Sequence, residues 1–206
     1  NLMRRAGIQG VKRRKKERPP RRDLRPLPSP DLVDRQFVAS GPNELWVADM
    51  TYKMTGEGWA YVATITDVWS RVCVGWAISD RIDTDLALGA LELALSRRRG
   101  LTGLVLHSDQ GSPYGSIRYQ RALTAAGITS SMGTTGDAFD NAMAESVNST
   151  LKADLIDEYD WPTRAALASA LMRYIEGFYN PRRRHTSLGN VSPLDYEKCL
   201  SERDAA

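Results

Sequence analysis

Between Leu45 and Ser79 three runs rich in β-branched and aromatic residues follow one another with only short turns between them. They are LWVADMTYK (Leu45 to Lys53), GWAYVATITD (Gly58 to Asp67) and RVCVGWAIS (Arg71 to Ser79), joined through MTGEG and DVWS. Strands this close in sequence can only pair as an antiparallel meander. Beyond them the period changes. Leucines 86, 88, 91, 93 and 95 mark an amphipathic helix over Asp83 to Arg99, stopped at Gly100. A short apolar strand, Gly103-Leu104-Val105-Leu106, runs on to Asp109, and Ser112 with Pro113 signals the start of a further helix. GITSSM (Gly127 to Met132) is a fifth short strand, and the loop Gly133 to Gly136 leads into a long helix from Asp137 to Tyr159. Another helix runs from Pro162 to Tyr179. Three antiparallel strands followed by strands alternating with helices give an α/β fold with a mixed five-stranded sheet flanked by helices.

Such a sheet makes an aspartate at the end of a core strand conspicuous, because a desolvated carboxylate needs a cap, a cation or a metal. Asp109 is one case; a loop residue capping the following helix is the plain alternative. Asp49 is another. Alternation puts Leu45, Val47 and Asp49 on one face and Trp46, Ala48 and Met50 on the other, and an edge-strand aspartate facing water is its alternative. Glu145 can be placed by angle. At about 100° per residue, Ala144, Val147, Leu151 and Leu155 form a core stripe, and Asn141, Glu145, Asn148 and Lys152 form a polar strip beside it. A solvated helix flank would share that pattern. Two aspartates on neighbouring strands and a glutamate on a helix packed across them suit hard divalent cations, which prefer carboxylate oxygens. Asp67, in the hairpin turn, reads as a turn cap.

The 206 residues carry 28 Lys or Arg against 25 acids, a net charge of +3, but the distribution is uneven. Residues 1–26 hold eleven cations against Glu17 and Asp23, a net of +9, so the other 180 residues, with 17 basic and 23 acidic groups, carry −6. Lys12, Arg13, Arg14, Lys15 and Lys16 form the densest part of this arm. It reads as a phosphate-binding tail or as a solvated linker. Prolines 19, 20, 26, 28 and 30 exclude helix and central strand there and imply a stiff, extended connection. Arg182, Arg183, Arg184 and His185 make a second basic run, a backbone-binding patch or a solvated one. No apolar run approaches membrane-spanning length, and Cys73 and Cys199 lie far apart without metal-ligand spacing. The expectation is a cytoplasmic protein with reduced thiols. Because the chain begins at Asn1 rather than Met, it is expected to be a fragment or a processed product.

Together these residues resemble the catalytic core of DDE transposases of the retroviral-integrase type, and most closely the second-frame (OrfB) transposases of bacterial insertion sequences. Thirty-five residues separate Asp109 from Glu145, the family's spacing. WVADMTY surrounds Asp49, HSDQGSPY surrounds Asp109, and DNAMAESVNSTLKADLI surrounds Glu145, with Lys152 where the family has a basic residue. DVWSRVCVGWAIS and YNPRRRHTSLGNVSPLDYE match further parts of the pattern, which runs from Glu44 to Tyr196. Gln110 and Pro113 depart from it, and no zinc-binding module of the retroviral kind is present.

The resemblance implies an RNase H-like fold and a metal-dependent polynucleotidyl transferase that cleaves and joins duplex DNA at element ends and target. It implies Asp49, Asp109 and Glu145 as catalytic residues and metal ligands for two Mg²⁺ ions, with Mn²⁺ as a substitute. Lys152, Asn141 and Arg182 to Arg184 become DNA contacts, as do the arm's cations, and the protein is expected to act as a homo-oligomer on DNA, nucleoid-associated and off the membrane. The implied organisation is 1–10 as the end of a helical DNA-binding segment, 11–43 as basic linker, 44–180 as catalytic core and 181–206 as C-terminal basic segment and tail. Two other functions fit parts of the sequence, an inactive DNA-binding relic of a mobile element and a plain RNase H-like nuclease.

Overall fold

The computed structural model describes residues 29–133 and 141–203. The meander forms as the pattern requires. Strand β1 (Leu45–Thr55) pairs antiparallel with β2 (Gly58–Asp67), and β2 with β3 (Cys73–Ser79). Helix α1 (Thr84–Arg97) follows, started by the Asp83 carboxylate, which accepts from Leu86 N at 3.0 Å. Strand β4 (Val105–Ser108) then pairs parallel with β1, and β5 (Thr129–Met132) parallel with β4, giving the order β3-β2-β1-β4-β5. This is the mixed five-stranded α/β sheet expected.

The remaining helices differ from their sequence signals in instructive ways. Helix α2 (Ile117–Ala125) starts at Ser116, not Ser112. The amides of Tyr114 and Gly115 both donate to Gly111 O at 3.1 Å, so Ser112 and Pro113 are absorbed into a turn, and Ser116 Oγ caps Tyr119 N at 3.2 Å. The sequence offers two capping serines, and closure of the turn after Asp109 takes the first. Helix α3 (Ala142–Leu151) widens into a π-helical turn at Lys152–Ile156 and stops before Tyr159; residues 134–140, which include the expected helix start at Asp137, lie outside the described residues. Helix α4 (Arg164–Tyr174) begins behind Thr163 Oγ1 and ends in a second π-helical turn, Ile175–Tyr179.

The C-terminal tail expected over 181–206 contains a helix, α5 (Pro193–Arg203). It packs on the body through Leu194, a Tyr196–Trp69 ring contact at 4.9 Å and a bidentate Arg98–Glu197 pair at 2.8 and 3.1 Å. Its polar composition hid it, because few apolar residues mark its buried side.

The sheet is buried on both faces. Trp46, Ala48, Ala63 and Ile65 face α1 and α2, whereas Ala60 and Val62 face α3 and α4. A third cluster joins Leu45 and Val47 to Met143 and Ala144 of α3. Residues 30–37, expected to be free linker, lie along the β5 edge. Pro30 O accepts from Met132 N at 3.3 Å, and Ser131 Oγ accepts from Leu32 N at 2.9 Å while meeting His107 Nδ1 at 2.8 Å. The Phe37 ring stands edge-on to His107 at 5.9 Å.

Helix α1 sits against β3 so closely that a Cβ on Gly75 would collide with Ala90 O and reach Ala94 Cβ at 2.9 Å. Both obstacles belong to helix backbone or to a short, rigid side chain. Gly75→Ala is therefore expected to lower stability by about 2 kcal/mol or more through overpacking, read as a fall in the urea midpoint at unchanged slope.

Candidate active site

Parallel pairing of β4 against β1 aligns Val47 with His107 and Ala48 with Ser108. One residue further along, Asp49 continues β1 opposite Thr64 and Asp109 follows the end of β4, near enough for the Asp109 charge to act on Asp49. Asp49 lies on the face shared by Leu45 and Val47, the face covered by α3, as alternation required. Its Oδ1 accepts from Met50 N at 2.8 Å and its Oδ2 from Asn148 Nδ2 at 2.9 Å. Asp109 is exposed, and it does not cap α2. Its Oδ1 accepts instead from Gly111 N at 2.9 Å. Gly111 lets the Asp109 carboxylate lie close, since a Cβ there would stand 2.8 Å from the same oxygen and displace the side chain.

The polar strip on α3 divides into two buried asparagines and two residues, Glu145 and Lys152, that reach solvent. Asn141 and Asn148 are both buried, with Asn141 Nδ2 donating to Ala48 O at 3.2 Å, and Asn148 Oδ1 accepting from Thr64 Oγ1 at 3.0 Å while its amide holds Asp49. The ionised Asp49 carboxylate, which can only accept, fixes which way the Asn148 amide points, and the Thr64 hydroxyl donates to the remaining oxygen. Two asparagines thus clamp the helix to β1 on either side of Glu145, which remains exposed between them. Lys152, the fourth member of the strip, lies 3.6 Å from Asp157 and 5.3 Å from the Tyr52 ring centroid.

Electrostatics link the three carboxylates. Burial pushes Asp49 from 3.8 up to about 6; the bonds from Met50 and Asn148 oppose that shift, and the negative charges of Asp109 and Glu145 add to it. The hydroxyl of buried Tyr114 has no hydrogen-bond partner among the described residues, and it too is pushed upward, first by burial and then by neighbours that include Asp49 and Asp109. Among the described residues no three His, Cys, Asp or Glu side chains are grouped closely enough to hold one ion together. Asn148, Thr64 and Tyr114 were not assigned roles from sequence. Asn148 was legible by its angle on the strip, whereas Thr64 and Tyr114 required the strand register and the turn.

Asp67 is a turn cap and more. Its Oδ1 accepts from Trp69 N and Ser70 N, and its Oδ2 from Asn43 N and Trp46 Nε1, all within 3.2 Å. The basic run divides: Arg182 and Arg184 are exposed, and Arg183 is held by Asp154 at 2.9 Å. Lys12, Arg13, Arg14, Lys15 and Lys16 lie outside the described residues.

Integrase core domain families match residues 39–138 and 126–193. The chain is 44% identical over 197 residues to the transposase of insertion sequence IS629 from Shigella sonnei, covering 96% of this chain and 66% of that protein. It is 42% identical over 172 residues to the IS904 transposase of Lactococcus lactis, covering 84% of this chain and 68% of that protein. The chain belongs to the insertion-sequence transposase family. It spans about two thirds of the length of these two transposases. Its fold is the RNase H-like one: the HTLV-2 integrase catalytic core domain, solved in complex with magnesium in a dimeric form, superposes with a TM-score of 0.56 at 16% identity, over 78% of this chain and 99% of that one.

The transposase core carries an electrostatic penalty at Asp49 that protonation relieves. With the carboxyl near 6 when folded and near 3.8 when unfolded, the folded state holds more protons between these values. Stability therefore falls as pH rises through that window, and the penalty is complete above about 6. In chelator at pH 7, Asp49→Asn is expected to raise stability by about 1–2 kcal/mol, after allowance for partial solvent access, and to flatten the pH dependence between 4 and 6. Denaturant midpoints at pH 4, 5.5 and 7 check this, and the two proteins should be nearly equal at pH 4.

Proposed function

We propose that this chain is the catalytic part of a bacterial transposase that cuts DNA at the ends of its element and joins those ends to target DNA. The observation that carries the reading is the placing of Asp109, just past the end of β4, near Asp49 in β1, under a helix that presents Glu145 and clamps itself to β1 by Asn141 and Asn148. The donor set is all carboxylate oxygen, and burial, with a smaller part from the neighbouring negative charges, raises Asp49, a shift that a divalent cation would oppose. Asp49, Asp109 and Glu145 are the residues that would hold magnesium, or manganese in its place, as two ions. Bound there, the ions would acidify the attacking water and stabilise the charge on the attacking and leaving oxygens.

The chain's own residues supply the rest. Asn148 holds Asp49 in one orientation, and exposed Asp109 and Glu145 can rotate to close the ligand set. In the cutting step an oxygen of water bonds to phosphorus, the P–O3′ bond breaks, and the freed 3′-oxygen takes a proton. In the joining step that 3′-hydroxyl, losing its proton, attacks a target phosphodiester, whose own 3′-oxygen leaves. Asn141 has a structural role at the helix start, and Lys152 reaches DNA by giving up its contact with Asp157. The chain works as a homo-oligomer on duplex DNA at the nucleoid; among the described residues no helix is long and apolar enough to cross a membrane.

Asp49→Asn, Asp109→Asn and Glu145→Gln are each expected to reduce cleavage and joining of element-end DNA by at least about a thousandfold while the fold is kept, because electrostatic stabilisation of the reacting oxygens dominates such reactions. Glu158→Gln, an exposed carboxylate away from the site, should stay near wild type. Gel assays with magnesium and circular dichroism of each variant decide this, and strong activity in any of the three removes that residue from the site.

The arm makes a separate expectation. If about six of its cations engage phosphates, log affinity for duplex DNA should fall with log salt at a slope near −5. Deleting residues 1–26 should make the slope much shallower and weaken all sequences alike, since phosphate contacts carry no base information. Fluorescence anisotropy across a salt series measures both, and an unchanged slope would leave the arm as a linker only.

A further inference from the structure

A second polar pocket lies on the other flank of the helix that carries Glu145. It has a volume of about 400 Å³ and is lined by Ser146 and Thr150 of α3, by Arg71 from the turn before β3, and by Arg183, Arg184 and His185. No carboxylate lines it. Arg183 is already held by Asp154, but the guanidinium of Arg71 has no hydrogen bond or ion pair among the described residues, although the residue is only partly exposed and burial lowers its pKa. An arginine withdrawn from water without a counter-charge needs an anion to compensate it.

The pocket is built rather than incidental. Arg71 adopts φ 65°, a left-handed conformation rare outside glycine, in the turn that Asp67 organises, with Arg71 N donating to Asp67 O at 2.9 Å. His185 is fixed by an isolated bridge to Val191, and its carbonyl accepts from Leu188 N and Asn190 N. Its ring stands edge-on to Tyr179 at 5.2 Å. Its Nε2 is buried with no hydrogen-bond partner, a state that costs free energy until something bonds to it. Burial and the charges of Arg183 and Arg71 push the imidazole down to about 4, so it is neutral at physiological pH and can offer an N–H.

We propose that this pocket binds a phosphate group, and that the phosphate is a backbone phosphodiester of DNA, held by Arg71, Arg184 and His185 with the hydroxyls of Ser146 and Thr150. Forked guanidinium donors and hydroxyls match the oxygens of a phosphodiester. The site lies on α3, so DNA seated there bears on the helix that presents Glu145. The choice of DNA over a small phosphorylated molecule rests on the function proposed above; the binding site itself does not.

The test uses the full chain in chelator, so loss of metal-dependent cleavage would leave its outcome unaffected. The chain has two histidines, which allows ¹⁵N-labelled imidazole signals to be followed with His107 as internal control. Inorganic phosphate is expected to shift the His185 signals and not those of His107, and Arg71→Gln or Thr150→Glu should abolish the shift. With duplex DNA, each variant should weaken binding to all sequences alike and reduce the salt slope by about 0.9, one phosphate's worth. Thr150→Glu leaves the Arg71 turn untouched and decides the matter if Arg71→Gln does not fold. No phosphate-induced shift at His185 overturns the site. A shift with phosphate but an unchanged DNA slope overturns DNA as the source and assigns the pocket to a free phosphate compound.

Discussion

Four residues of parallel pairing, Leu45 to Ala48 against Val105 to Ser108, set the positions of the two aspartates proposed as catalytic. An antiparallel meander alone has no point where two strand ends emerge side by side in the same direction. Adding β4 parallel to β1 brings a strand end beside β1, so Asp109 follows the last residue of β4 while Asp49 stays in β1, one step beyond the last parallel pair. Everything else around the site serves to hold a helix over that point. The apolar contact of Leu45 and Val47 with Met143 and Ala144 sets the helix down, and Asn141 and Asn148 fix its position along β1.

The use of asparagine in that role has a physical reason. The helix lies against a face that ends in a carboxylate, so an apolar residue at position 148 would leave Asp49 without its side-chain donor, and a lysine would neutralise the charge a cation needs. An amide donates one bond to Asp49 and accepts one from Thr64, and it adds no charge. Asp49 consequently carries a cost, mainly of burial and in smaller part of repulsion from Asp109 and Glu145, that the surrounding fold withstands, a condition often met at functional sites.

The sheet, its order of elements and the placement of Asp49 were readable from alternation and turn residues, because a two-residue period cannot be satisfied in more than one way over eleven residues of β1. The polar strip of α3 was also readable as geometry, but not its burial, since angle alone does not distinguish a flank facing water from one facing β1. Helix starts were less legible. Ser112 and Ser116 carry the same capping chemistry, and only the closure around Gly111 separates them. Helix α5 was hidden by its polar composition, and the pocket beside His185 for a different reason: it joins residues more than 70 positions apart, such as Arg71 and Thr150, and no local pattern records such a meeting.

The strap along β5 fixes a point of departure. By bonding Pro30 and Leu32 to Met132 and Ser131, the fold covers the C-terminal end of the β5 edge. It also places residue 30 beside the end of β5, the neighbour of β4, whose end leads into Asp109. Under the function proposed above, DNA bound near that point would meet the carboxylates at a raised local concentration, an effect of proximity rather than of fit.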